Sequence, residues 1–541
     1  MASTNDIHVV AAIDFGTTYS GFAYAHKKSP DDILCQGFEE SFKTPTVLRY
    51  DESFNVTSWG FPALSDRTFR KSKESKSVEL FKLHLGNIEE KPYLPEGLDY
   101  KKAIIDYLHE MGKLLKEKLS RYKFLEFFNQ VIIILTVPAE FDNNAISVMR
   151  ECAFKAGLTK EKNSRNLKFT TEPEAAAIHC MKFLSDNGIT SGDSFMTVDC
   201  GGGTVDLTTR QLLFDNALGE VTERTGDFCG SSYVDQEFIK FLEQKVGKSA
   251  IELLKKNHYR QLQCLIQEFC KNVKLSFTGY EKDFKFTEID LGDHCPELKQ
   301  YCKDDVLMEM EELEWLIELT FDDVRAMFDP IIAKIIHLIR GQLRSNDKCS
   351  AIIMVGGFSE SKYLQKRIKE EFLDFVQNIS FPTNPILAVI KGAVQFGMKE
   401  HVITNRVLKW TYGTDIARKW VANDPISRKL PNGMIKVFHP LAKKGSHLTS
   451  NDEVTTVFKP YSLFQRKISF NMYHTSQFDA KYCDEDDDVR LLDNWEIDIP
   501  RLDDFDDQII SLTLNFGNVE ILAKAENQKT GQKYEIKFNC G

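Results

Sequence analysis

The sequence predicts an α/β architecture followed by an antiparallel β domain. Up to about residue 403, short apolar runs alternate with amphipathic helical patterns, as in layered α/β chains. After about residue 404 the pattern becomes period-two alternation broken by turn signals. One strand–turn unit near the start, Ala11–Gly21, also recurs from Met196 to Asp206. The chain has 541 residues, enough for three to four domains at roughly 150 residues each. The expected boundaries are 1–190, 191–403 and 404–541.

Taken in order, Val131–Leu135 reads as a strand that runs into the polar turn Thr136-Val137-Pro138-Ala139-Glu140-Phe141. Ala145, Val148, Met149, Cys152 and Ala156 form one helical face after Asn143-Asn144, with Gly157 as the stop. A second helix starts near Pro173 and runs through Ala175–Leu184. Cys229-Gly230-Ser231-Ser232 opens a helix carrying Val234, Phe238 and Phe241. That start suits either a phosphate contact or an ordinary N-cap. Ala351–Val355 reads as a strand, Gly356-Gly357 as its turn, and Leu364, Ile368 and Phe372 as the apolar stripe of the next helix. Further on, Lys467–Tyr473 and Ile509–Phe516 alternate like half-buried strands, with turn signals at Asn515-Phe-Gly517 and Lys529-Thr-Gly531.

Composition narrows the function. The chain is 42% hydrophobic and 28% charged, which excludes collagen-like, coiled-coil and wholly disordered classes. Its 69 basic and 80 acidic residues leave a net charge of −11, which argues against nucleic-acid and anionic-membrane partners. Apolar runs stay far below the ~20 residues of a spanning helix. The start lacks a signal-peptide core, and the twelve cysteines form no CxxC pair. Reduced thiols and a cytoplasmic location are therefore expected, with the nucleus also open.

The chemistry rests on the repeat. Asp14-Phe-Gly16-Thr17-Thr18-Tyr19 and Asp199-Cys-Gly201-Gly202-Gly203-Thr204-Val-Asp206 each place an aspartate at a strand end before a Gly/Thr turn. Glycine lets the backbone approach a ligand closely, and consecutive turn amides make an anion nest. An aspartate beside a phosphate nest repels phosphate unless a cation lies between, so the pair suggests Mg²⁺ held largely through water. Other signals carry less. Gly247-Lys-Ser249 lacks the first glycine of a P-loop. His294, Cys295 and Cys302 have poor metal spacing, Asp484–Asp488 reads as a solvated acidic loop, and Cys200 reads as a small buried apolar residue.

These motifs resemble the actin-like ATPase fold, and within it the 70-kDa heat-shock chaperone family, in a form similar to the divergent heat shock 70 kDa protein 12 branch. Thr136–Phe141, Glu172-Pro-Glu-Ala-Ala-Ala177, Lys82-Leu-His-Leu-Gly86, Gly356-Gly357 and Lys391-Gly-Ala-Val394 match that family in order across about residues 8–400. The resemblance implies two duplicated ribonuclease-H-like lobes; the region after them reads as a β-sandwich-like partner-binding domain, and in departure from the family no helical lid is expected. The resemblance also implies ATP/ADP and Mg²⁺ as ligands. The backbones of Gly16, Thr17, Thr18 and Tyr19 and of Gly201, Gly202, Gly203 and Thr204 would hold the phosphates. Asp14 and Asp199 would position the metal through water. Lys82 would contact the terminal phosphate and the attacking water, with Glu172, Asp199, Thr204 and Asp206 completing the catalytic set. Gly230, Glu268, Lys271, Gly356 and Gly357 would line the rest of the nucleotide site, and Lys391–Val394 would close the second lobe.

Departures are visible. Phe358–Lys362 offers no arginine for the base, Ile386 stands where an acidic residue is expected, and the spacing of Glu268 and Lys271 to Ser276 is one residue off. Asn405–Trp410 replaces the acidic, leucine-rich coupling linker, so the β domain is expected to be coupled loosely. The leading reading is a chaperone-like ATPase with slow hydrolysis that binds exposed apolar peptides or protein partners. Two alternatives stand beside it: a regulatory scaffold that binds ATP with little hydrolysis, and a small-molecule kinase of the same fold.

Overall fold

The computed structural model describes residues 7–39, 41–64, 76–184, 188–214, 217–346, 348–399, 402–449, 451–460, 465–484, 488–499, 509–516 and 519–537. It is mixed α/β and divides into two compact units. The first comprises Met1–Glu140, Cys152–Thr208 and Thr225–Lys399; the second comprises Phe141–Glu151, Thr209–Arg224 and Glu400–Gly541. Stretches expected as the 1–190 and 191–403 domains thus share the first unit. The last boundary falls at 399/400, and two earlier segments join the second unit.

In the first unit, the Val9–Asp14 strand is buried along its whole length, because it lies inside a sheet and presents apolar side chains to both faces. It pairs antiparallel with Tyr19–His26 and parallel with Val131–Val137, which pairs parallel with Leu167–Thr171. Ser194–Cys200 repeats the arrangement. It neighbours the strand starting at Val205 on one side and Cys349–Val355 on the other, and the latter pairs parallel with Asn378–Ser380. Each hairpin turn therefore sits at the end of a central strand. This is the open-sheet position where ligands bind.

The helices follow the periodicity of the sequence. Asn143–Lys155 is helical, and Gly157 adopts the left-handed φ of 75° that ends the turn. Glu172–Cys180 is capped by Thr171, whose side chain accepts from the Glu174 amide. Ser232–Val246 buries Val234, Phe238, Leu242 and Val246 at four-residue spacing, whereas Phe241 is only partly covered. Ala388–Met398 contains Lys391–Val394, the segment expected to close the second lobe. It packs instead on the first sheet: a methyl at Gly397 would meet Val10 and Ile134, and one at Gly392 would lie 1.7 Å from the Ala175 carbonyl.

The second unit is built on two antiparallel sheets. One runs Met434–Ala442, Thr411–Lys419, Lys467–Thr475, Arg490–Asp498; the other runs Glu453–Phe458, Ile510–Asn515, Leu522–Asn527, Lys533–Lys537. Alternate residues Ile468, Phe470 and Met472 and Ile510, Leu512 and Leu514 enter one core. Gly517, residues 485–487 of the acidic run and His401 lie outside the described residues.

Of Asn405–Trp410, read as a loose linker, the first half, Asn405–Val407, is strand. Ile403–Val407 pairs with Leu218–Glu220 and His447–Thr449. Glu220 is buried; it accepts from the Val407 amide at 2.7 Å and from Arg210 at 3.1 Å. Arg150, also buried, makes a two-bond contact with Glu520, at 2.6 Å each. A chain cut at residue 399 keeps every glycine turn but strips Val407 from Glu220 and Glu520 from Arg150. Breaking one such buried pair typically costs ~3–5 kcal/mol. The fragment is therefore expected to melt well below the full chain in a circular-dichroism scan. Equal melting would show that these pairs carry no stability.

Among the described residues, no helix is long and apolar enough to cross a membrane. Cys295 and Cys302 donate to carbonyls inside the core, of Gln261 and Val246 respectively. Gly247 has a φ of 92° and separates two helices.

Candidate functional site

The two glycine turns face each other. A methyl built on Gly202 would lie 2.0 Å from Thr18 Oγ1, and one on Gly203 would lie 2.3 Å from Thr17 Oγ1. Only glycine allows this approach. Within each turn one amide is used internally: Gly16 donates to Ser20 Oγ at 3.1 Å, and Gly201 donates to the Thr204 carbonyl at 2.9 Å. Among the described residues the amides of Thr17, Thr18, Gly202 and Gly203 have no partner, so four donors remain for an anion.

Below the turns lies a buried ionic centre. Asp14 ends its strand and accepts from Lys43 Nζ at 2.6 Å and from Thr136 Oγ1 at 3.1 Å. Lys82, on the 3₁₀ turn Phe81–Leu85, donates to Glu172 at 2.7 Å and is 2% exposed. Asp199 ends the second central strand, and Asp206 starts the return strand. Asp206 Oδ1 accepts from the Ala139 amide at 2.6 Å, while its Oδ2 is buried without a hydrogen-bond partner. Four buried carboxylates thus stand against two buried ammonium groups.

The proton affinities follow from this imbalance. Burial, then Glu172, Asp206 and Asp14, lift the Asp199 carboxyl well above its ordinary range. Burial, then Glu172, raise Asp206 to about 7. Glu172 is raised by burial, with Lys82 opposing. Burial alone would lower the Lys43 ammonium, but the charge of Asp14 and its hydrogen bond, then Asp199 and Glu172, hold it above the usual lysine range.

The remaining expected residues divide. Gly356, at φ 82°, backs onto Asp199, where a methyl would lie 2.3 Å from Oδ1; Gly357 is open on its Cβ side. Gly230 serves packing: its amide bonds the Gly203 carbonyl at 3.2 Å, and a methyl there would lie 2.5 Å from Gly202 backbone. The Ser231 and Ser232 amides bond Gly201 and Gly202 carbonyls at 3.0 and 2.8 Å, so this helix start clamps the second turn. Tyr19 is 45% exposed.

Lys271 points to solvent, and Glu268 is engaged by Asn272. Lys274 is buried instead and donates to the Ser231 carbonyl at 2.7 Å and to Asp235 at 2.6 Å. Cys270–Lys274 is a π-turn, which carries one extra residue and rotates the side chains after it relative to a regular α-helix. Lys274 and Lys43 are the two site lysines missed in the sequence. Lys43 lies 29 positions from its carboxylate partner, with no motif around it to mark the pairing.

Over nearly its full length the chain is similar in sequence to proteins named as 70-kDa heat-shock and HscA chaperones. Human Heat shock 70 kDa protein 12A is 26% identical, across 98% of this chain and 91% of the relative. Human Heat shock 70 kDa protein 12B is 24% identical, across 97% and 90%. Chaperone protein HscA of Buchnera aphidicola subsp. Schizaphis graminum is 22% identical, across 91% and 76%. Residues 190–381 also match a family described as a domain of unknown function, DUF8340.

Proposed function

We propose that the protein is a nucleotide-switched, chaperone-like ATPase. Two actin-like lobes, around 1–190 and 191–403, hold ATP, and the C-terminal β-sandwich-like domain holds a partner. The observation that carries the reading is the pair of facing turns: four unpartnered amides stand over four buried carboxylates and two lysines. Such a centre carries excess negative charge until a cation enters, and the orphaned Asp206 Oδ2 needs a donor. Both facts fit magnesium held through its waters by Asp14 and Asp199. Held there, it would supply charge neutralisation for the bound phosphates. The chain does the rest. The turn amides fix the phosphates, Lys82 stabilises charge building on the terminal phosphate, and Thr204 stands beside it. Glu172 and Asp206 orient the attacking water for in-line transfer.

Nucleotide at 100 times its dissociation constant adds roughly 2.7 kcal/mol of stability, a melting shift of a few degrees in a chain this size. Millimolar ATP·Mg²⁺ is expected to produce that shift, with slow release of phosphate. No shift in a folded sample sinks the reading. A shift without phosphate release moves it to the scaffold, and a phosphorylated metabolite moves it to the kinase.

The second unit exposes apolar side chains, among them Ile426 at 80% and Phe478 at 57%. These suit apolar peptides or a protein partner. A fluorescent apolar peptide is expected to bind the full chain with similar affinity in ATP and ADP. A tenfold difference would mean ~1.4 kcal/mol of coupling and would overturn the loose-coupling expectation.

A further inference from the structure

We propose that Lys43 is a resident cation of the phosphate cleft: it grips Asp14 while the cleft is empty and donates in addition to the terminal phosphate when nucleotide enters, so that nucleotide is retained without divalent metal. The proposal rests on the nucleotide reading above and adds a residue that the motifs did not mark.

Lys43 precedes the short strand Thr44–Pro45, which pairs antiparallel with Tyr19-Ser20 directly after the first turn. This strap is tied to the turn at several points. Thr46 donates its amide to the Thr18 carbonyl at 2.8 Å and its hydroxyl to the Gly16 carbonyl at 2.8 Å. Ser20 and Thr46 hydroxyls share a hydrogen bond at 2.8 Å, and Tyr107 donates to the Pro45 carbonyl at 2.9 Å. The lysine stem rises against Gly21, where a methyl would stand 3.1 Å from Lys43 Cγ. The ammonium is thus delivered to Asp14, at the end of the strand that leads into the first turn.

Lys43 Nζ lies 2.6 Å from Asp14 Oδ2, and Thr136 occupies Asp14 Oδ1, so both oxygens of a carboxylate expected to serve the metal are engaged. The charges of Asp199 and Glu172 add to that of Asp14 on the ammonium. An ammonium has three donors, so Nζ can stay on Asp14 and donate to a phosphate oxygen at the same time.

A buried ion pair is weak evidence for stability, since an apolar replacement of similar volume is often neutral or stabilising. Stability alone therefore does not account for a lysine buried on Asp14. A charge-assisted bond to phosphate does account for it.

The test measures ATP affinity by calorimetry on the full chain, in excess Mg²⁺ and again in EDTA, for wild type and Lys43→Met. Wild type is expected to bind ATP in EDTA and to lose about tenfold or less relative to Mg²⁺. Lys43→Met is expected to lose a further factor of about ten or more in EDTA and a smaller factor in Mg²⁺. An unchanged EDTA-to-Mg²⁺ ratio in Lys43→Met overturns the proposal and leaves the nucleotide site standing. Wild type that binds only with Mg²⁺ also overturns it, without recourse to any variant. Wild type that binds in neither buffer overturns the nucleotide reading and this proposal together.

Discussion

Asp206→Asn is expected to raise the melting temperature of the nucleotide-free protein by several degrees and to weaken its response to ATP·Mg²⁺. Burial, then Glu172, hold the Asp206 carboxyl at about 7, against 3.8 for the ordinary group. A raised carboxyl binds its proton more tightly folded than unfolded. Its contribution to stability is therefore present at low pH and is lost as pH rises from about 4 through about 7. At ~1.4 kcal/mol per unit, the carboxylate costs the empty fold about 4 kcal/mol above neutrality. Asparagine removes that cost and still accepts from the Ala139 amide. Thermal melts at pH 8 and pH 5 check this, and the gap between variant and wild type is expected to narrow at pH 5. A variant that melts below wild type at pH 8 would contradict the account.

Lys82→Ala is expected to keep nucleotide and lose turnover by ~10²–10³. Lys82 is 2% exposed and carries its charge to Glu172 at 2.7 Å, inside the ring of carboxylates. Its loss removes positive charge where the transition state builds negative charge, whereas the turn amides that hold the ground-state phosphates are untouched. Glu172, already raised by burial, then takes a proton rather than stay charged and unpaired. Single-turnover phosphate release, measured beside nucleotide affinity, separates the two effects. Hydrolysis at the wild-type rate in Lys82→Ala would remove this lysine from the chemistry.

Both variants act on residues that motifs marked, and that reflects how such sites are written in a chain. A glycine turn after an aspartate is a contiguous object. The residues that set its backbone path are neighbours in sequence, so Gly16–Tyr19 and Gly201–Thr204 are legible without coordinates. The alternating strands Lys467–Thr475 and Ile510–Asn515 are legible for the same reason, because a pleat with one face in the core imposes a local period of two.

Tertiary structure decided what joins distant positions. The partner of Asp14 is 29 residues away on a strap, that of Lys82 is 90 away, and that of Arg150 is 370 away. Choosing among many lysines and carboxylates for such pairs depends on packing, and no local pattern encodes it. Within the π-turn Cys270–Lys274, Lys271 faces solvent while Lys274 is buried against Asp235, and local spacing does not encode that choice. The first half of the segment read as a linker became a strand because its amides found Leu218–Glu220 and a buried carboxylate at Glu220. Sequence alone therefore determined the two turns and the alternation of the β domain. The three-dimensional fold determined which charges meet beneath those turns, since electrostatic and hydrogen-bond partners are selected by distance in space rather than along the chain.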